Sequence, residues 1–125
     1  MTNNIHVLNI INNNQMPFLQ YIKNGIKKAE CRIASDKIRK LKIRDKLKLR
    51  NNQEFIVCDI VFMNFYKNFE DMIYSEGLKN LVPFVDTVED GLKIYNSFPG
   101  SERVTKLGCC AIGVKYITGK LNFEL

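Results

Sequence analysis

The stretch GIKKAECR, residues 25–32, decides how this chain is read. Ahead of it, QMPFLQYIKN places Met16, Leu19, Ile22 and Lys23 at helical spacing, with Pro17 near the helix start. Gly25 then suits the position just past a helix end, where a left-handed backbone would strain a residue carrying a Cβ. After the glycine the period changes. Ala29, Cys31 and Ile33 point one way, and Lys28, Glu30 and Arg32 the other. That is a strand with one apolar and one charged face, with Lys27 at the turn before it.

Working outward, NIHVLNI (4–10) reads as a first strand. SDKIRKLKIRDKLKLR holds a short helical or looped segment and a strand near Lys46–Leu49, and NNQE suits a hairpin turn. EFIVCDIVFMNFY (54–66) reads as a long central strand with a bend. Two helices are expected next, with apolar stripes at Phe69, Met72 and Ile73 and at Val88, Leu92 and Tyr95. Thr87 caps the second, with Asp90 three positions on. KLGCCAIGVKYI closes the chain as a strand. The order β-α-β-(β)-β-α-α-β lacks strict βαβ alternation, so the expected class is α+β, a curled, mostly antiparallel sheet or small barrel.

The 125 residues suit a single domain, 1–125. The charge of +6 is unevenly spread. Lys23 to Arg50 holds twelve Lys/Arg against Glu30, Asp36 and Asp45, a net +9, and the remainder carries −3. This asymmetry favours a polyanionic partner, nucleic acid first, over a merely lysine-rich surface. Four cysteines without a C-x-x-C pair, and one histidine, give little basis for a metal site, and no cofactor is expected. The cysteines lie among apolar residues, as buried reduced thiols do, which favours a reducing compartment, cytoplasm or nucleus. No membrane span and no secretory leader is read from the sequence.

GIKKAECR fits the pattern G-x-K-x-x-E-x-R, through Gly25, Lys27, Glu30 and Arg32, and there the chain resembles the ASCH domains, relatives of the PUA RNA-binding fold. Further landmarks support the resemblance over about residues 5–118. Asp45 opens the next strand. YKNFEDMIYSEG supplies Tyr66, Phe69, Met72, Glu76 and Gly77, and DTVEDGLKIYNSF gives the later helix. One departure is Arg44, where the family often has glycine. The resemblance implies a small PUA-like barrel of five to six mostly antiparallel strands, about three flanking helices, and a cleft lined by the motif.

The chemistry expected of such a cleft is recognition of a single-stranded or flipped-out nucleotide of RNA. Lys27 and Arg32 would attract phosphate, with Arg32 as a bidentate fork, and Glu30 would accept from an exocyclic amine. Gly25 and Lys28 flank them, Tyr21 and Tyr66 are candidate stacking platforms, and Lys40, Lys42 and Arg44 would grip the backbone. The resemblance also implies an alternative, an amidohydrolase of N4-acetylcytidine-type nucleosides. Lys27 and Glu76 match its lysine and glutamate, while Glu30 replaces its threonine and would act as general base with Lys27 at the oxyanion. A ribonuclease using Lys27 and Tyr21 is a lesser alternative, and a protein partner for the basic face is a third class.

Overall fold

The computed structural model describes residues 4–125, so the leader reading at the N-terminus falls partly outside the described residues. Five strands are present: β1 (Ile5–Asn9), β2 (Ala29–Ile33), β3 (Lys46–Asn51), β4 (Glu54–Tyr66) and β5 (Cys109–Lys120). Six α-helical segments accompany them: α1 (Phe18–Lys23), α2 (Asp36–Arg39), α3 (Phe69–Glu76), α4 (Leu78–Leu81), α5 (Val88–Ser97) and α6 (Val104–Leu107). A 3-10 turn, Ser101–Arg103, precedes α6. The class is α+β.

The strands form one sheet in the order β1-β3-β4-β5-β2. β1 runs parallel to β3, and the other three pairings are antiparallel. The sheet curls into a half-barrel and does not close, which corrects the expected barrel. Its edges, β1 and β2, share no ladder. A side chain crosses the seam between them: Arg32 Nη2 on β2 donates to the Asn9 carbonyl on β1 at 2.7 Å. The curl comes from β4, whose register against β5 slips at Val57/Cys58 and at Ile60/Phe62; such bulges bend a strand and increase its twist. At the second slip the Phe62 ring lies so close over Gly113 that a Cβ there would come within 2.2 Å of it.

The helix number exceeds the expected three because α2, α4 and α6 are single turns of four residues. α1, α3 and α5 are the longer segments, and the end of the first and the starts of the other two have local causes. Gly25 follows α1 at φ +83°, its N–H donating to the Ile22 carbonyl. Asn68 caps α3 by accepting from Asp71 N at 2.7 Å, and Thr87 caps α5 by accepting from Asp90 N at 3.1 Å. The core draws on Leu19, Leu47, Leu49, Ile56, Ile60, Met72, Ile73, Leu81 and Ile112. Four consecutive residues of β5, Cys109 to Ile112, are fully buried, so both faces of that strand are covered.

A buried polar cluster anchors the chain between β1 and α1. Asn12 Nδ2 donates to Gln20 Oε1 at 2.9 Å and to Glu54 Oε2 at 3.2 Å, and Asn12 Oδ1 accepts from Leu19 N at 2.9 Å. It satisfies donors that would otherwise be orphaned at the helix start. Nothing in the spacing of these polar residues announced it.

Candidate functional site

The register of β2 sets the site. Lys28 O accepts from Val114 N and Ala34 N donates to Gly108 O, each at 3.0 Å, with Glu30 opposite Ile112 and Arg32 opposite Cys110 between them. In an antiparallel ladder such pairs alternate. The backbones of residues 28, 30, 32 and 34 therefore face β5, and those of Ala29, Cys31 and Ile33 face the free edge. Ala29 O accepts from Lys27 Nζ and Ile33 O from Ser35 N. The N–H and C=O of Cys31 have no partner among the described residues.

Lys27, Glu30 and Arg32 do converge, but not as three free charges. Glu30 Oε2 accepts from Arg32 Nε at 3.1 Å and Nη2 at 2.9 Å. Glu30 Oε1 lies 3.5 Å from Lys27 Nζ. Lys27 Nζ donates to Ala29 O and Leu81 O, both at 2.6 Å, and sits 5.2 Å from the Phe18 ring centroid. Its side chain has no exposure. Burial holds the Lys27 pKa below the ordinary lysine value, against the pull of Glu30. Its three protons are thus directed inward, and it braces the end of α4 against β2. Glu30 is itself buried, and Oε2 is filled by Arg32. The exposed member is Arg32, whose side chain is 24% accessible and whose Nη1 has no partner among the described residues.

Arg32 opens onto a cleft made of two adjoining cavities, of about 70 and 80 Å³. Both are lined by Cys31, Arg32, Tyr95 and Phe98. Ile10, Phe18 and Glu30 help to wall the first, and Phe69 and Ser101 the second. Tyr95, on α5, is only 4% exposed, and its hydroxyl has no partner among the described residues. Burial, with Cys31 and Glu30 nearby, pushes its pKa well up, so it stays protonated. The sequence reading took Tyr95 for an apolar stripe; the available signal was a polar tip on an otherwise buried helix face.

The remaining expected residues lie elsewhere. Tyr21 stacks on Phe84, centroids 6.1 Å apart, and its carbonyl accepts from Ile26 N and Lys27 N, shaping the turn at Gly25. Tyr66 donates to Glu76 Oε2, which also accepts from Asn64 Nδ2 at 2.8 Å. That cluster lines neither cavity of the cleft. Gly25 and Lys28 border a separate open groove of about 460 Å³, together with Lys23, Lys115 and Tyr116. Lys40, Lys42 and Arg44 are exposed, whereas other members of the basic run are engaged. Lys46 pairs with Asp59, Arg50 Nε donates to Asn9 Oδ1, and Arg39 lies over the Phe65 ring. Arg44 has φ +81°, the backbone conformation that glycine adopts most readily. Among the described residues no cluster of three His, Cys, Asp or Glu could hold a metal ion, and no helix is long and apolar enough to cross a membrane.

No protein-family model and no curated protein matches the chain. Solved structures do. The hypothetical protein PH0355 is 27% identical with a TM-score of 0.79, over 90% of this chain and 99% of its own. Protein PF0455 from Pyrococcus furiosus is 26% identical with a TM-score of 0.71, over 90% of this chain and 97% of its own. The likeness runs almost end to end in both, and it speaks to the architecture of a single α+β unit.

Proposed function

We propose that this chain is an RNA-binding module of the ASCH type that takes a nucleotide at the seam between β1 and β2. One observation carries the reading. Arg32 is held rigid by Glu30 and Asn9 while Nη1 remains free at the mouth of a cleft. A guanidinium fixed in this way has little rotamer freedom left to lose on binding, and it suits a phosphate or a carbonyl edge. The net +9 between Lys23 and Arg50 supplies the long-range attraction a polyanion needs. In this reading Glu30 positions Arg32, and Lys27 supports the floor without touching the ligand. Lys28, Lys40, Lys42 and Arg44 meet the phosphodiester backbone.

The test is fluorescence anisotropy with short single-stranded RNAs across a salt series, on the wild type, Arg32→Lys and Arg32→Ala. Affinity is expected to fall with salt, with a slope near 0.7 per phosphate contact. Both variants are expected to bind at least about tenfold more weakly, because lysine keeps the charge but not the fork. Undiminished binding by folded Arg32→Ala, or no RNA binding at low salt, would refute the proposal. The amidohydrolase alternative rests on the resemblance alone. Lys27 directs its protons to two carbonyls and Glu30, and Glu76 bonds Tyr66 and Asn64 outside the cleft.

A further inference from the structure

The groove of about 460 Å³ lies apart from the seam and shares no lining residue with the cleft at Arg32. Local structure explains its place. The register of β4 slips between Ile60 and Phe62, which brings the Phe62 ring over Gly113, with Val61 45% exposed beside it. Such a bulge re-aims the side chains around it. Lys28 O accepts from Val114 N at 3.0 Å, which sets the approach to β2 next to Lys115. α1 ends at Lys23, and Gly25 turns the chain at φ +83° with open space where a Cβ would stand. The lining therefore combines the apolar Val61, Phe62 and Val114 with three lysines, Lys23, Lys28 and Lys115.

No acidic residue lines the groove. Lys28 and Lys115 make no ion pair among the described residues, and Asp59, opposite Lys115 in the ladder, is engaged by Lys46. Three ammonium groups around one concavity raise its positive potential and draw an anion. A carboxylate of this chain already answers one of them: Glu124 Oε1 sits 2.7 Å from Lys23 Nζ, which also lies 5.9 Å from the Tyr116 ring. The segment carrying Glu124 is held by other bonds, since Asn122 N donates to the buried Glu54 and Gln20 Nε2 donates to Phe123 O. Both partners of the ion pair are open to solvent, so its displacement costs little. The volume suits a small molecule, and the apolar part of the lining would stay uncovered under a bare ion or a phosphodiester strand.

We propose that this groove binds a small organic anion with an apolar body, a phosphate monoester or a carboxylate, and that Glu124 is its internal competitor. The anionic head meets Lys28, Lys115 and Lys23, displacing the Glu124 carboxylate from the last, and the body covers Val61 and Val114. The proposal stands apart from the nucleotide reading, which uses Arg32 at the seam.

The experiment titrates hexyl phosphate, hexanoate, inorganic phosphate and hexylammonium into the full chain, followed by amide NMR. The two hexyl anions are expected to move the Gly25, Lys28 and Lys115 resonances saturably while Cys31 at the seam stays still; the tighter of the two identifies the head group. Inorganic phosphate should bind about tenfold more weakly than hexyl phosphate, since it covers no apolar surface, and hexylammonium should not bind. Lys28→Gln and Lys115→Gln should each weaken hexyl phosphate binding about threefold or more, and Glu124→Gln should tighten it about threefold, the scale of an exposed ion pair. Absence of saturable binding, inorganic phosphate binding as tightly as hexyl phosphate, or Glu124→Gln binding like the wild type would overturn the proposal. Single-stranded RNA moving the Gly25 and Lys115 amides as hexyl phosphate does would assign the groove to the strand and overturn it as well.

Discussion

Replacing Lys27 by methionine separates a structural brace from a ligand contact. Methionine keeps the length and fills the space beside Phe18. It leaves Ala29 O and Leu81 O, which accept at 2.6 Å, without a donor where no water reaches. Each orphaned carbonyl costs about 1–3 kcal/mol. Glu30 also loses its neighbour at 3.5 Å, although the Arg32 fork remains. Against these losses, the variant no longer carries the penalty of a buried ammonium, which amounts to several kcal/mol. Removing one member of a buried charged cluster while its partners stay has a net cost of about 3–5 kcal/mol, and the lower end, about 3 kcal/mol, is expected here because Arg32 still pairs Glu30. Urea unfolding followed by circular dichroism should show a lower midpoint with an unchanged slope, and Tm should fall by roughly 10 °C. RNA affinity, measured where the variant is still folded, should stay within about threefold of the wild type, as expected of a residue that touches no ligand. A variant as stable as the wild type would refute the bracing argument, and one that is stable but unable to bind would return Lys27 to the site.

Arg44→Gly should raise the urea midpoint, by up to about 1 kcal/mol, since it relieves a left-handed residue while Arg44 N–H···O=C Ile60 at 2.9 Å needs no side chain; a lower midpoint would show that the arginine side chain itself holds the turn. The Asp45 carboxyl is held below its ordinary value of 3.8, first by its hydrogen bond with His6 and then by Asn4 N–H and Lys42 N–H. Between the depressed folded value and 3.8 the unfolded chain binds the extra proton, so this stabilisation is full above 3.8 and is lost as pH falls through the folded value. Urea midpoints below pH 5 should therefore drop more steeply for the wild type than for Asp45→Asn. Burial pushes the thiols of Cys58 and Cys110 up to about 12, so alkylation of these two by iodoacetamide at pH 8, located by mass spectrometry, should begin only at urea concentrations that unfold the protein; labelling of either in native buffer would reveal local opening of β4 or β5.

The alternation of residues 28–33 announced a two-faced strand, and a strand stands there. What alternation cannot announce is which face the rest of the chain will cover. Glu30 was expected on the charged face lining a cleft, yet it is 6% exposed, held between the buried Lys27 ammonium and the Arg32 fork. Lys27 was expected to reach into the cleft from the turn, whereas it is buried against the carbonyls of Ala29 and of Leu81, the latter 54 positions away and beyond any local pattern. The longer helices carried apolar stripes, whereas four-residue turns are too short to show a period.

The spacing of the motif acquires a physical sense from the same geometry. Glu30 and Arg32 share a face, so the carboxylate can clamp the guanidinium from two residues away. The clamped group reaches Asn9 and ties the two edges of an open sheet. The tie leaves its last nitrogen, Nη1, without a partner among the described residues, on a side chain that lines the cleft. Stability and recognition thus meet in one side chain, and Arg32→Lys should lower both the melting temperature and RNA affinity. An Arg32→Lys variant that melts early but binds RNA like the wild type would reduce this side chain to a structural latch.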